Sequence, residues 1–291
     1  MKKSFILLAT AFTAFALLLS ACSFDGVTVN VNTNTVKGSG NVVSEERTVS
    51  GFTRVELQSI GNLVITQGDT ESLTIAADDN LLPYITTEVV AGTLEISMKP
   101  NTNVDPTKTI QYTLTVKSIA SVVLAGFGNI TADKLESNSL EVKVTGSGDI
   151  HIGEVNGETL ALKLTGFGNI YVDKAVVSRP TLELAGSGDI KVNDLKASDL
   201  ALTISGFGNA TISGSADNEV IKLTGSGNYH GGDIQTKTAA VTISGFGNAT
   251  AWATDSLNLK ITGSGNVDYY GNPRLTQTIT GFGNIKSLGE H

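Results

Sequence analysis

The chain carries one cysteine in 291 residues, Cys22, so no disulfide can form within it and packing must supply its stability. Charge is sparse: Asp, Glu, Lys and Arg make up 16%, the formal net charge is -8, and no basic cluster occurs beyond Lys2 and Lys3. That balance argues against nucleic-acid binding, which needs positive charge against phosphate. It argues equally against adsorption of a folded part to anionic lipid. Histidine is limited to His151, His230 and His291, and Arg47, Arg54, Arg179 and Arg274 are scattered. No Ser-His-Asp grouping or metal-ligand spacing is present, and the Gly-x-Gly runs lack the following helix that a phosphate loop requires. No catalytic, cofactor-binding or metal-binding residue is assigned, and a non-enzyme is expected. Acids that only the fold brings together keep a polysaccharide-active enzyme as the remoter alternative. The apolar run from Phe5 to Leu19 falls short of the ~20 residues a membrane-spanning helix needs.

Set behind Met1-Lys2-Lys3, that run reads as a secretory leader. Leu19-Ser20-Ala21-Cys22 directly after it resembles the bacterial lipobox, which implies cleavage after residue 21 and acylation of Cys22. Each acyl chain contributes about 0.8 kcal/mol per buried methylene, so two or three would hold the chain to a membrane. Ser23 is not the aspartate that retains some lipoproteins at the inner membrane, so by resemblance the outer membrane is expected. Residues 22–36 are expected to form a tether, although Val27, Val29, Val31, Thr33 and Thr35 alternate as a first strand would. The folded domain is expected over 37–291.

Against these absences stand 32 glycines, well above the usual ~7%. Most belong to a recurring Gly-Phe/Ser-Gly-Asn/Asp motif. Its first glycines, Gly126, Gly146, Gly166, Gly186, Gly206, Gly225, Gly245, Gly263 and Gly281, are spaced by 20, 20, 20, 20, 19, 20, 18 and 18 residues. An earlier copy lies at Gly38 to Asn41 and a degenerate one at Ser59-Ile60-Gly61-Asn62, so 37–120 reads as divergent repeats and 121–291 as regular ones. Apolar residues alternate on both sides of each motif, as in Val142, Val144, Ile150 and Ile152, with Lys143, Lys163, Glu183 and Thr203 between them. Period two means strand. A 20-residue strand-turn-strand unit cannot bury its apolar face alone, but stacked copies can. The expected fold is therefore all-β, a right-handed parallel β-helix, with a meander of hairpins as the competing arrangement.

The motif residues suit tight corners: glycine reaches positive φ cheaply and Asn or Asp tolerates the left-handed region. Stacked at ~4.8 Å, Asn129, Asn169, Asn209, Asn228, Asn248, Asn266 and Asn284 would form an amide ladder interrupted by Asp149 and Asp189. Calcium, which Gly-x-Gly-x-Asp turns hold in nonapeptide rolls, is set aside because the period is wrong and most copies carry Asn. Between the glycines, Phe127, Phe167, Phe207, Phe246 and Phe282 alternate with Ser147, Ser187, Ser226 and Ser264. The preferred expectation is that these rings seal a corner of the core. The other reading is an exposed edge that binds a polymer such as a glycan.

These turns, the stretch from Gly51-Phe52 to Asp78-Asp79-Asn80-Leu81-Leu82-Pro83, and Thr93-Leu94-Glu95-Ile96 resemble the auto-transporter adhesins with a head GIN domain. The resemblance covers most of the chain after the leader. It implies a fold akin to pectin lyases without their catalytic residues, and a role in adhesion. The function expected is an envelope lipoprotein presenting a non-catalytic surface to a glycan or protein. Docking to an envelope partner in homeostasis is the alternative. Tyr269, Tyr270, Pro273 and the shortened late spacings mark a modified terminal coil. This end is expected to pair with another chain, giving a homo-oligomer through the carboxy-terminal coil.

Overall fold

The computed structural model describes residues 34–291, of which Thr35–His291 form one compact unit. Cys22, the leader and residues 22–33 of the expected tether lie outside the described residues, whereas its last three residues belong to a strand, Asn34–Lys37, that pairs with Thr102–Asp105, so the ordered chain starts before residue 37. From Phe127 onward the chain runs in long strands broken at the motif, among them Ile150–Leu164, Ile170–Leu184 and Ile190–Ile204. Each pairs parallel with the next, one repeat on: Ile130 faces Ile150, Ile150 faces Ile170, and Ile170 faces Ile190. The result is a parallel β-helix of about eight turns, and the hairpin meander is not formed in the repeats.

Alternation explains the cross-section. In Ile170–Leu184 the buried residues are Ile170, Val172, Ala175, Val177, Pro180, Leu182 and Leu184. The step lengthens from two to three after Val172 and again after Val177. In the equivalent places of the preceding coils, Asp133/Gly153 and Asn138/Glu158 drop out of the pairing register. Each break rotates the strand, so a coil has three sides, and each buried Leu, Ile or Val contributes roughly 1.5–3 kcal/mol by leaving water. One continuous core runs from Val49 to Val267.

Stack order departs from chain order at the amino-terminal end. Arg54–Leu57 and Ile60–Gln67 pair parallel with Ser121–Leu124 and Phe127–Val144 on one side. On the other side they pair with Thr93–Met98 and Gln111–Val116, so a later segment lies beneath an earlier one. Gly61 and Asn62 align with Gly128 and Asn129, which places the degenerate motif inside the stack. The rest of 37–120 is antiparallel cover: Ser72–Asp78 against Gln111–Val116, Val42–Arg47 against Ser72–Asp78, and Ile85–Val90 against Thr93–Met98.

The motif copy at Gly38–Asn41 is not a turn of the stack. Gly40 donates its N–H to Asp78 (2.7 Å), Ser39 Oγ to Asp79 (2.5 Å) and Asn41 Nδ2 to Asp79 (2.9 Å). Thr107 donates both its hydroxyl (2.6 Å) and its N–H (2.8 Å) to Asp78. The Thr107 hydroxyl holds the Asp78 carboxyl below its ordinary pKa, and the Ser39 hydroxyl does the same for Asp79. At the other end, inward-facing Leu275 and Ile285 are only half-buried, Ile279 is exposed, and Gln277 stands in the column that Leu259 fills one coil earlier.

Candidate functional site

The motif turn keeps the alternation of its flanking strands. Leu164, Gly166, Gly168 and Ile170 face inward, and Phe167 therefore faces out. All five rings are exposed, from 68% at Phe127 to 92% at Phe282, so they do not seal the core. The reason for glycine also differs from that expected. None of the glycines of the regular motif has positive φ, and among the described residues Asn101 is the only asparagine in that region. The constraint is close approach: a Cβ built on Gly168 would overlap the carbonyl oxygen of Gly148, and one on Gly206 the carbonyl of Gly186. Glycine lets the coils meet at backbone distance in the corner. There Phe167 and Ser187 donate their N–H groups to the first glycine of the coil before, at 3.1 and 3.2 Å.

The structure thus brings Phe127, Phe167, Phe207, Phe246 and Phe282 into one column, with rings on alternate coils about 9.6 Å apart. Two further columns flank it. On one side run Thr145, Thr165, Ala185, Ser205, Thr224, Ser244, Thr262 and Thr280, small and uncharged. On the other is the amide ladder. Asn169 donates its backbone N–H (2.9 Å) and Nδ2 (2.8 Å) to Asp149 Oδ1, and Asn209 does the same to Asp189 at 2.7 and 3.2 Å. The pattern continues through Asn228, Asn248 and Asn266. Each of these acceptor oxygens already takes two hydrogen bonds.

The other residues weighed as chemistry remain apart. His151 Nε2 lies 2.8 Å from Asp173 on the surface, His230 is exposed, and His291 stacks on Trp252 with ring centroids 4.2 Å apart. Arg54 bonds Thr93 Oγ1 (2.9 Å) and Arg179 pairs with Glu158 (2.5 Å). Among the described residues no group of three His, Cys, Asp or Glu is arranged to hold a metal ion. The concavities are open grooves, such as the one lined by Gly157, Val176, Ser178 and Lys196.

One buried polar pair was not anticipated. Glu219 stands in the column that Leu200 occupies one coil earlier and accepts a hydrogen bond from Tyr229. Ala210 and Ala249 flank Tyr229 on the neighbouring coils and leave room for its ring. Burial pushes the Glu219 carboxyl up to about 7, the Tyr229 hydrogen bond working against that rise. Its Oε2 has no partner. Burial, followed by the charge of Glu219, raises Tyr229 well above its ordinary value. The available signal was an acid at an inward position of the alternation.

The model of the family described as putative auto-transporter adhesin, head GIN domain, matches residues 51–212 and 174–273, most of the chain. The chain belongs to this family. Among solved structures, a putative lipid binding protein from Parabacteroides distasonis is similar, with 26% identity and a TM-score of 0.68. That match covers 87% of this chain and 99% of that one. A putative adhesin from the same species (24% identity, TM-score 0.65, 88% and 100% covered) and one from Parabacteroides merdae (22%, 0.66, 87% and 99%) share the fold. No curated protein matches. Within the family's matched region, the stretch Asp78-Asp79-Asn80 forms the clamp on Ser39, Gly40 and Asn41. Its acids are therefore occupied structurally. No described helix is long and apolar enough to cross a membrane.

Proposed function

We propose that this head GIN protein is a non-catalytic surface binder of the bacterial envelope that engages a protein or glycan through its phenylalanine edge. The exposed column from Phe127 to Phe282 carries the reading, because large apolar side chains aligned in water mark a binding surface. The family's adhesin description supports it, as do the scattered histidines and arginines and the open grooves. We assign the membrane attachment to acyl chains on Cys22, with leader 1–21, tether 22–33 and outer-membrane residence. Its test is radiolabelled palmitate incorporation: Cys22→Ala should abolish the label and release the chain to the soluble fraction.

The lipid-binding description of the Parabacteroides distasonis relative favours a second reading, in which the same rings enter a lipid surface. Both are tested by binding the chain from Ser23 onward to glycans, envelope and matrix proteins, and phosphatidylethanolamine/phosphatidylglycerol vesicles. A variant with all five motif phenylalanines changed to serine runs in parallel. Saturable binding lost in the folded variant assigns the edge to recognition, and the class of target retained by wild type separates the readings. Binding unchanged in the variant removes the edge from function.

A further inference from the structure

We infer that the phenylalanine edge is self-complementary and joins two copies of this chain in an antiparallel zipper, four of the five rings of each copy filling the gaps over the serines of the other. The inference rests on the reading of this edge as a binding surface and names its partner.

The alternation is the starting observation. In much of the stack like residues sit on like, as from Ile130 through Ile150, Ile170 and Ile190 and from Asn209 through Asn228, Asn248 and Asn266, and aromatic rings also stack down a β-ladder. Nothing within one chain requires Ser147, Ser187, Ser226 and Ser264 to interrupt the rings. What the serines create is a row of gaps. Ser187, Ser226 and Ser264 are exposed and Ser147 is half-buried, so neighbouring rings do not fold over the first three and the gap at Ser147 is the narrowest. A ring entering midway between two others about 9.6 Å apart would sit about 4.8 Å from each, within the 4.5–7 Å at which aromatic centroids pack.

The chemistry around the edge favours an apolar partner over a sugar. Along the amide ladder the acceptor oxygens of Asp149, Asp189, Asn209, Asn228 and Asn248 each take two hydrogen bonds and those of Asn129, Asn169 and Asn266 one, so much of the polar capacity that would orient hydroxyl groups is already used. The opposite flank is Thr, Ser and Ala, and only Asp149 and Asp189 bring charge to the two ladders. Charge depletion around aromatic anchors is the mark of a protein interface core. Five rings exposed to this degree present on the order of 700 Å² of apolar surface, close to the ~800 Å² per partner of a standard interface.

Symmetry fixes the arrangement. A closed pair needs a two-fold axis, and an axis across the edge between Ser187 and Phe207 inverts the column with a one-coil offset. It places Phe207 of each copy over Ser187 of the other, and Phe167 over Ser226. Phe127 then meets Ser264, Phe246 meets Ser147, and Phe282 meets Ile60, which takes the ring's place in the adjacent coil. The inversion sets the amino-terminal ends of the two solenoids at opposite ends of the pair, which suits contact between two facing envelopes.

Sedimentation velocity over a concentration series tests this on the chain from Ser23 onward, with circular dichroism confirming each variant's fold. Wild type should form a dimer that tightens as salt screens the net negative charge. The triple change Phe167→Ser, Phe207→Ser, Phe246→Ser should weaken it by more than about a hundredfold. The decisive variant adds apolar surface: Ser187→Phe with Ser226→Phe fills the gaps and should also give monomer. Under oxidation Ser187→Cys, beside the axis, should cross-link and Ser264→Cys should not. A monomeric wild type overturns the inference, as does tighter association of the two-phenylalanine variant. Dimerisation lost in Ile279→Lys but kept in the serine variants would move the contact to the terminal coil and overturn it too. A monomer that still binds another target through the edge would leave the broader reading standing without this one.

Discussion

Glu219 and Gly168 show how single side chains set the limits of this stack. Glu219 has a folded pKa of about 7 against an ordinary 4.5, so folding prefers its protonated form. The penalty is absent below the ordinary value, grows as pH rises towards 7, and is fully present at pH 8, on the order of 3 kcal/mol. Glu219→Gln should therefore stabilise the protein at pH 8, leave it nearly unchanged at pH 4.5, and flatten the pH dependence in chemical denaturation. A curve parallel to wild type would show that another group controls it. Gly168 is set by space, since its missing Cβ would meet the carbonyl of Gly148. Gly168→Ala should cost roughly 3 kcal/mol through overpacking, read as a lower thermal midpoint, whereas Ser187→Ala should be neutral within about 0.5 kcal/mol. The outward direction of Phe167 was legible by counting in twos from Leu164 to Ile170. The expectation that the rings seal a corner gave their hydrophobicity more weight than that parity.

At the level of the element, a strand is defined by its neighbours one coil away. The amide ladder links turns that are about 20 residues apart in sequence, and Asn209 occupies its middle: it donates to Asp189 and accepts from Asn228. Asn209→Ala should lose about 1–2 kcal/mol, because it removes an acceptor for the Asn228 N–H as well as two side-chain bonds. Asp189→Asn should be close to neutral, since an amide oxygen serves as the acceptor in most other rungs. Thermal melts of the two variants check both. The ladder was readable from the spacing of Asn and Asp. The clamp of Asp78 and Asp79 on Ser39, Gly40 and Asn41 was not, because it joins residues about 40 apart through an irregular cover with no period.

The whole molecule behaves as a near one-dimensional array in which each coil touches only those above and below. Deleting residues 167–206 would join Gly166 to Phe207, remove two coils, and preserve both register and the Phe/Ser alternation. The shortened chain should fold with the same circular dichroism signature and a lower midpoint. Deleting 54–67 should prevent folding, because that segment is sandwiched between 93–116 and 121–144 and both need it as a strand partner. Equal tolerance of both deletions would contradict the stacking order.

Sequence alone determined the period, the inward and outward faces of the strands beside each motif and the column of phenylalanines, and it favoured the parallel β-helix over a meander. All of these follow from local alternation repeated at fixed spacing, which any stacking must respect. Tertiary structure alone decided why the motif needs glycine, that the gaps between the outward rings stay open, and that segment 93–116 lies beneath 54–67. It also decided that Glu219 faces Tyr229 inside the core. Each of these depends on which backbone lies one coil away or across the interior, a distance that residue order does not encode.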